Sequence, residues 1–298
     1  MKTKLYKLAI ISLLSVLGAS CSNSVYQEAK FENFSNQISR QTFNDEYAKC
    51  VEKYLFKYLT VEAIPYYDEE AEEMSTYLSY SVHDNFEAVL SYSGYSTTTK
   101  QGSKTHDETF LKESNFKVDN KNGRAQGTIR NASTFWDKEK NKDEQNDKES
   151  KQYYSVVNES TIKSYIDDKL FFLNETDWYS ILYSTIIWEF QTIRPIYLLN
   201  QYEFYSSTYS GDPNVEEGET EIDGSWYKDD NLFTFEYNQG SEELRIQIFF
   251  SDELFKVTTH LHVKGEAKPG PDTYFERENY GEVKITPLSE SVEEYQPQ

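Results

Sequence analysis

The 298-residue chain carries four histidines, two cysteines and 51 acidic residues from which a site could be built. The histidines are His83, His106, His260 and His262, and only the last two are close together. On a strand His260 and His262 point the same way, beside Lys256 and Thr258 and opposite Leu261 and Val263. Two imidazoles so placed could share a metal ion if a third ligand came from elsewhere. No such ligand is marked, so the expectation is a solvated strand face and no metal. The acidic run from Asp212 to Asp223 has oxygen ligands suited to calcium but not the spacing of a calcium loop. Glycoside cleavage needs one distinguished carboxylate pair, and none stands out. There is no G-x-S-x-G elbow, P-loop, H-E-x-x-H helix or G-x-G-x-x-G turn. The expectation is a non-enzymatic protein without a cofactor. Cys50 falls among Phe43, Tyr47, Val51, Tyr54, Leu55 and Tyr58 at helical spacing, which reads as a small residue on the core face of a helix.

Cys21 reads differently. Lys2, Lys4 and Lys7 precede an apolar run from Leu8 to Ala19, the three-part pattern of a secretory signal peptide over residues 1–20. The run is shorter than the roughly 20 apolar residues needed to span a bilayer as a helix. Leu17-Gly18-Ala19-Ser20-Cys21 resembles the lipobox of bacterial lipoproteins, with one departure. The family places Leu three residues before the cysteine, where Gly18 stands here, and Leu17 lies one step further back. The resemblance implies cleavage before Cys21 and a diacylglyceryl group, with palmitate-type acyl chains, on its thiol. Two chains anchor a protein stably where one does not. The expected location is extracytoplasmic, lipid-anchored to a bacterial membrane, with the membrane as a partner and no protein partner identified. The four Asn-X-Ser/Thr sequons, at Asn33, Asn131, Asn158 and Asn174, then read as chance. With Cys21 acylated, no disulfide is left to form.

The net charge is -21, from 30 basic and 51 acidic side chains. Such a surface repels a phosphate backbone, so nucleic acid is not an expected partner. Loss of residues 1–20 would remove three lysines and no acid, and the excess charge reads as solvation for a body kept off anionic headgroups. The 25 Tyr and 18 Phe argue against disorder.

Several elements would have to position any site. Residues 21–41 read as a lipid-anchored tether, and a helix is expected over residues 43–59, capped by Thr42 with Asp45 three residues on. A second short helix is expected over residues 69–80. From Phe86 the apolar period becomes two, through Ala88, Leu90 and Tyr92, then Phe116 and Val118, then Tyr154 and Val156. Turns are expected at Asp119–Gly123 and Asp167–Lys169. Lys138–Lys151 has no apolar residue and reads as a mobile, solvated loop. Residues 176–200, with Trp178, Ile181, Leu182, Ile186, Ile187, Trp188, Phe190 and Ile193, read as an apolar helical insertion ending near Pro195. Alternating strands follow from Phe233 to Val263, a last strand ends at Pro287, and residues 289–298 read as a flexible tail.

An anchored N-terminus, a leading helix, an antiparallel meander interrupted by an apolar insertion, and a closing strand at Tyr280–Pro287 together resemble the LolA-like and LppX-like lipoprotein carriers. The resemblance spans residues 42–288 as one α+β domain and rests on no invariant motif. It implies a strongly curved antiparallel half-barrel wrapped around helices, with a cavity for acyl chains and no catalysis. The expected function is binding or carrying a hydrophobic, lipid-like ligand, with Trp178, Leu182, Ile186, Phe190 and Ile193 as cavity candidates. Two alternatives stay open: Trp178, Trp188 and Phe190 would fill a dry core, as aromatic-rich helices on sheets usually do, and exposed Tyr on the sheet would suit a surface lipoprotein that binds a protein or polysaccharide.

Overall fold

The computed structural model describes residues 26–68, 73–137, 142–174, 205–207, 219–221, 224–266 and 272–297. In chain order the elements are β1 (Gln37–Ile38), α1 (Arg40–Cys50) continued by a π-helical turn at Val51–Leu55, β2 (Leu59–Asp68), β3 (Glu73–Val82), β4 (Phe86–Lys100) and β5 (Ser103–Asp119). A short 3-10 turn leads to β6 (Arg124–Asp137), β7 (Lys142–Asn158), β8 (Thr161–Ile166) and β9 (Lys169–Leu173). Then come β10 (Tyr205–Ser207), β11 (Glu219–Glu221), β12 (Ser225–Asp229), β13 (Leu232–Gln239), β14 (Glu242–Phe250), β15 (Phe255–Glu266) and β16 (Thr273–Pro287).

One antiparallel sheet dominates, in the order β1-β12-β13-β14-β15-β16-β4-β5-β6-β7-β8-β9. It consists of two meanders, β4–β9 and β12–β16, joined where the last strand pairs along the first from Thr273↔Lys100 to Pro287↔Phe86. The sheet is not closed: β1 and β9 are its two edges. A mostly antiparallel sheet with one short helix is the α+β architecture expected, at that level of detail.

Period-two alternation decides which face each strand buries. Ala88 and Leu90 align with Ile285 and Val283 on one side and with Phe116 and Ser114 on the other, so one face is apolar across the strands. The helix covers this face. Phe43 meets Trp226 at 4.8 Å and Phe233 at 5.3 Å between ring centroids, and Tyr47 meets Phe250 at 5.7 Å. Burying a side chain of this size contributes about 1.5–3 kcal/mol, so these aromatic residues outweigh any intrinsic preference of the short helix. Ser39, not Thr42, caps α1, its hydroxyl accepting from the Thr42 amide at 3.1 Å, and the helix therefore starts before the expected position.

Two elements differ from expectation in kind. Residues 73–82 form strand β3, paired with β2 from Leu59↔Val82 to Asp68↔Glu73, not a second helix. Met74, Leu78, Tyr80 and Val82 all fall on one two-residue period, which the charged run before them obscures. Residues 142–151, expected within a loop, belong to strand β7, which pairs with β6 from Asp137↔Lys142 to Arg124↔Ser155 and includes the alternating Tyr154 and Val156 expected as strand. A ladder needs backbone partners, not apolar side chains, and here cross-strand charges reinforce it. Arg130 donates to both oxygens of Asp147, at 3.0 and 2.8 Å, and to Glu113 at 3.0 Å.

Both ends of the described chain lie against the outer face of this sheet. The Gln27 backbone amide donates to the Ser93 hydroxyl at 3.1 Å, and that hydroxyl donates back to the Gln27 carbonyl. The Gln247 amide accepts from the Glu32 N–H at 2.7 Å and donates to the Glu32 carbonyl at 3.0 Å. Arg245 lies over the rings of Phe31 and Phe34, and Phe34 meets Tyr227 edge-on at 4.8 Å. Residues 26–36 thus form a strap. At β1 the chain turns around the sheet edge and enters α1 on the opposite face. The C-terminal segment, expected as a flexible tail, also docks. Val292 is buried, its N–H donating to Asp119 at 3.0 Å, and Tyr295 stacks on Tyr153 at 3.9 Å.

Candidate functional site

The helix covers only part of the apolar face. Its end lies at one rim of the sheet, where Lys57 donates to the Asp252 carbonyl at 2.6 Å and Tyr58 packs against Phe86 at 6.3 Å. Toward the opposite rim, which carries the Gln101–Gly102 turn, the same face continues with half-buried Tyr92, Phe110, Leu261 and Phe275 and exposed Phe135. The rings of Tyr92 and Phe110 are 5.3 Å apart. Burial raises the Tyr92 hydroxyl pKa, with Arg277 opposing the rise.

At the centre of this shelf a glycine makes room for an amide. Gly94 pairs with Asn279 on one side and Phe110 on the other. A Cβ on Gly94 would lie 2.3 Å from Asn279 Oδ1 and 3.0 Å from Phe110 Cζ. Asn279 is 8% exposed, and its Oδ1 has no hydrogen-bond partner. An unpaired buried acceptor is costly, about 1–3 kcal/mol. Ser114 Oγ, on the same face, is also buried without a partner. Lys112 and Arg277 share the face by register, opposite Tyr92 and Ser96 respectively. The arrangement suits an apolar chain lying along rings, with a hydrogen-bond donor near Asn279 and an anionic group near the two cations.

The paired histidines are on the outer face, away from the shelf. His260 Nε2 and His262 Nε2 lie 2.9 Å from Glu278 Oε1 and Glu276 Oε1, with 18% and 17% of their side chains exposed. The solvated strand face expected there is instead a sheltered network. His260 stacks on Tyr280 at 4.4 Å, Tyr280 donates to Glu278 at 3.0 Å, and Tyr26 of the strap donates to the same carboxylate at 3.3 Å. Burial and the Glu278 charge push the Tyr280 pKa up to about 12, and burial raises Tyr26 as well. Burial alone would raise Glu278, but the bonds from His260 and Tyr280 outweigh it and hold its pKa low. Among the described residues no group of His, Cys, Asp and Glu is arranged to hold a metal ion. Cys50 is half-buried at the end of α1, and burial raises its pKa, the opposite of an activated nucleophile.

No protein-family model and no curated protein matches the chain. Among solved structures, a Nitrosomonas europaea protein provisionally called AttH is similar over 69% of this chain, at 9% identity and a TM-score of 0.19. The match spans about half of that protein, 52% of its length. A likeness this slight carries neither fold nor function.

Cys21 and the cavity candidates Trp178, Leu182, Ile186, Phe190 and Ile193 lie outside the described residues. Among the described residues no helix is long and apolar enough to cross a membrane. Sequence reasoning missed the Tyr92–Phe110–Asn279 shelf. Its one available signal was Gly94 within an alternating strand, a mark of close approach by a neighbour.

Proposed function

We propose that the protein is a membrane-anchored, extracytoplasmic bacterial lipoprotein that binds or carries a lipid-like ligand on the inner face of its sheet, without catalysing a reaction. In this reading the sheet is the strongly curved half-barrel of the LolA-like carriers, and the diacylglyceryl group on Cys21 attaches it to the membrane. The observation that carries the reading is the half-open aromatic shelf around the buried, unpaired Asn279 oxygen. A ligand with an apolar chain and a hydroxyl or amide donor would cover the rings and satisfy that acceptor together.

The test uses residues 22–298, which contain every described element, analysed by native mass spectrometry and titrated with a fluorescent long-chain fatty amide. Co-purified lipid or saturable probe binding, weakened about fivefold or more by Phe110→Ala through lost apolar contact, is the expected result. Absence of both defeats the reading.

A second reading, a surface lipoprotein that binds a protein or polysaccharide, is favoured by edge strand β9. Its Leu170, Phe171 and Phe172 are exposed, Phe172 by 62%. Phe172→Lys would leave probe binding unchanged in the carrier reading and abolish partner capture in the second.

A further inference from the structure

The strap gives the anchor a direction. Its path can be followed by the residues it touches on the outer face. The Ser35 and Asn36 amides donate to the Asp229 carboxylate at the end of β12, Glu32 meets Gln247 in β14, Gln27 meets Ser93 in β4, and Tyr26 meets Tyr95 and Tyr280. Asp229 is at the helix rim, with Asp252 and Asn85. Followed back from residue 36 to residue 26, the strap crosses the sheet diagonally toward the shelf rim. There Gln101 N–H donates to Asp272 O at 2.9 Å and Lys264 N–H donates to Ser241 O at 3.0 Å.

The remaining chain is short. From Cys21 to Tyr26 five residues span at most about 18 Å. From Tyr95 to the end of β4 at Lys100 five residues of strand cover about 17 Å, whereas the helix rim at Phe86 lies roughly 30 Å the other way. A membrane attachment at residue 21 can therefore reach the shelf rim and falls short of the helix rim.

We infer that the docked strap orients the body so that the shelf rim, with the part of the inner face that α1 leaves uncovered, is turned toward the bilayer. This rests on the reading that Cys21 is the anchor. It goes further by making residues 26–36 a positioning device and not a free leash. A lipid leaving the bilayer would then enter the shelf at the rim nearest the membrane, beside Phe275 and Phe110. The polar residues of the outer face have a matching role. Ser93 and Gln247 are buried and hydrogen-bond the strap backbone, which fixes these two points of its path through the main chain, beside the ring contacts of Tyr26, Phe31 and Phe34.

The experiment uses residues 21–298 with Cys50→Ala and couples the Cys21 thiol to vesicles of phosphatidylcholine containing a maleimide-bearing lipid and a headgroup-labelled acceptor, so that the tether keeps its length. A fluorescent amino acid is introduced at Ser103, on the shelf rim, or in a separate protein at Glu253, on the helix rim; both are exposed. The two positions are roughly 45 Å apart along the sheet. Energy transfer to the bilayer should be at least about twofold stronger from Ser103, and the difference should vanish when twenty Gly/Ser residues, with a reach of roughly 25 Å, are inserted after Ser24. The insertion precedes every described residue, so the fold is not at risk. Equal transfer from the two positions, stronger transfer from Glu253, or a difference that survives the insertion would overturn the inference. Because the maleimide lipid replaces the acyl chains at residue 21, orientation is read whether or not Cys21 is acylated in the cell. The mass of the Cys21 peptide from native membranes reports lipidation separately.

Discussion

Replacing Asp119 by Asn removes one negative charge from a wholly buried site while keeping its shape. The carboxylate is 0% exposed and accepts four hydrogen bonds: Asn85 Nδ2 at 2.9 Å and Asn122 N–H at 3.2 Å on Oδ1, and Asn122 Nδ2 at 2.7 Å and Val292 N–H at 3.0 Å on Oδ2. All four partners are donors. An amide in either orientation offers one oxygen and turns an NH2 group toward two of them. Two donors then lose their acceptor, one of them always on Asn122, which is exposed and can turn to water, so Asp119→Asn should cost about 1–3 kcal/mol. For a domain of this size each kcal/mol moves Tm by about 2–4 °C. The four bonds also outweigh burial and hold the Asp119 pKa below the ordinary value. A group whose pKa is lower folded than unfolded contributes stability that is complete above the unfolded value, about 4, and lost as pH falls through the folded one. Urea unfolding at neutral pH should show the full deficit, and the gap between wild type and variant should narrow below about pH 4. Hydrogen exchange at Val292 should rise in the variant. A variant within about 0.5 kcal/mol of wild type, the range of a neutral surface change, with unaltered exchange at Val292, would refute this account of the turn and of the docked C-terminus.

Other expectations are simpler. Gly127→Ala sets a Cβ 2.4 Å from the Phe116 ring and 2.5 Å from the Asn115 carbonyl, and overpacking of this kind should cost about 2–3 kcal/mol in urea titration. Phe43→Ala empties the centre of the ring cluster formed with Trp226 and Phe233 and should cost about 3–5 kcal/mol, with Tm falling accordingly. Cys21→Ala should move the protein from the membrane fraction to the soluble extracytoplasmic fraction, as read by immunoblot; continued sedimentation with membranes would defeat the lipid-anchor reading.

Much of the sheet was legible in the sequence because its strands bury one face and alternate. Phe233 through Val263 and the strand ending at Pro287 stand where period two places them. The failures share a cause. Side-chain polarity reports where water is, and both the C-terminal segment and strand β7 depend on partners that polarity does not reveal. Ser93, Thr234, Gln247 and Thr258 occupy outward positions and so read as solvated, yet all four are buried. Segments of the chain far from them in sequence cover the outer face there. Residues 142–151 of β7 have no apolar side chain to signal a strand, and their ladder is reinforced by Arg130, Glu113 and Asp147. The shelf was illegible for a further reason: Tyr92, Phe110 and Asn279 come from three strands, and only the register brings them around Gly94.

The pairing of β4 with β16 also governs how the chain can assemble. Ser93 and Tyr280 are neighbours in space and 187 residues apart in sequence, and the rest of that ladder is equally remote. Each meander can zip up locally, but neither can bury both sides of its inner strands until the final strand arrives. Closing so long a loop precedes most of the reward from burial, and such topologies fold slowly. A chain still lacking residues 273–287 therefore presents two half-sheets with a raw edge each, competent for chaperone capture and poorly able to fold ahead of time. If the chain is exported, as proposed above, that delay would be useful, because the fold is withheld until its last strand is available.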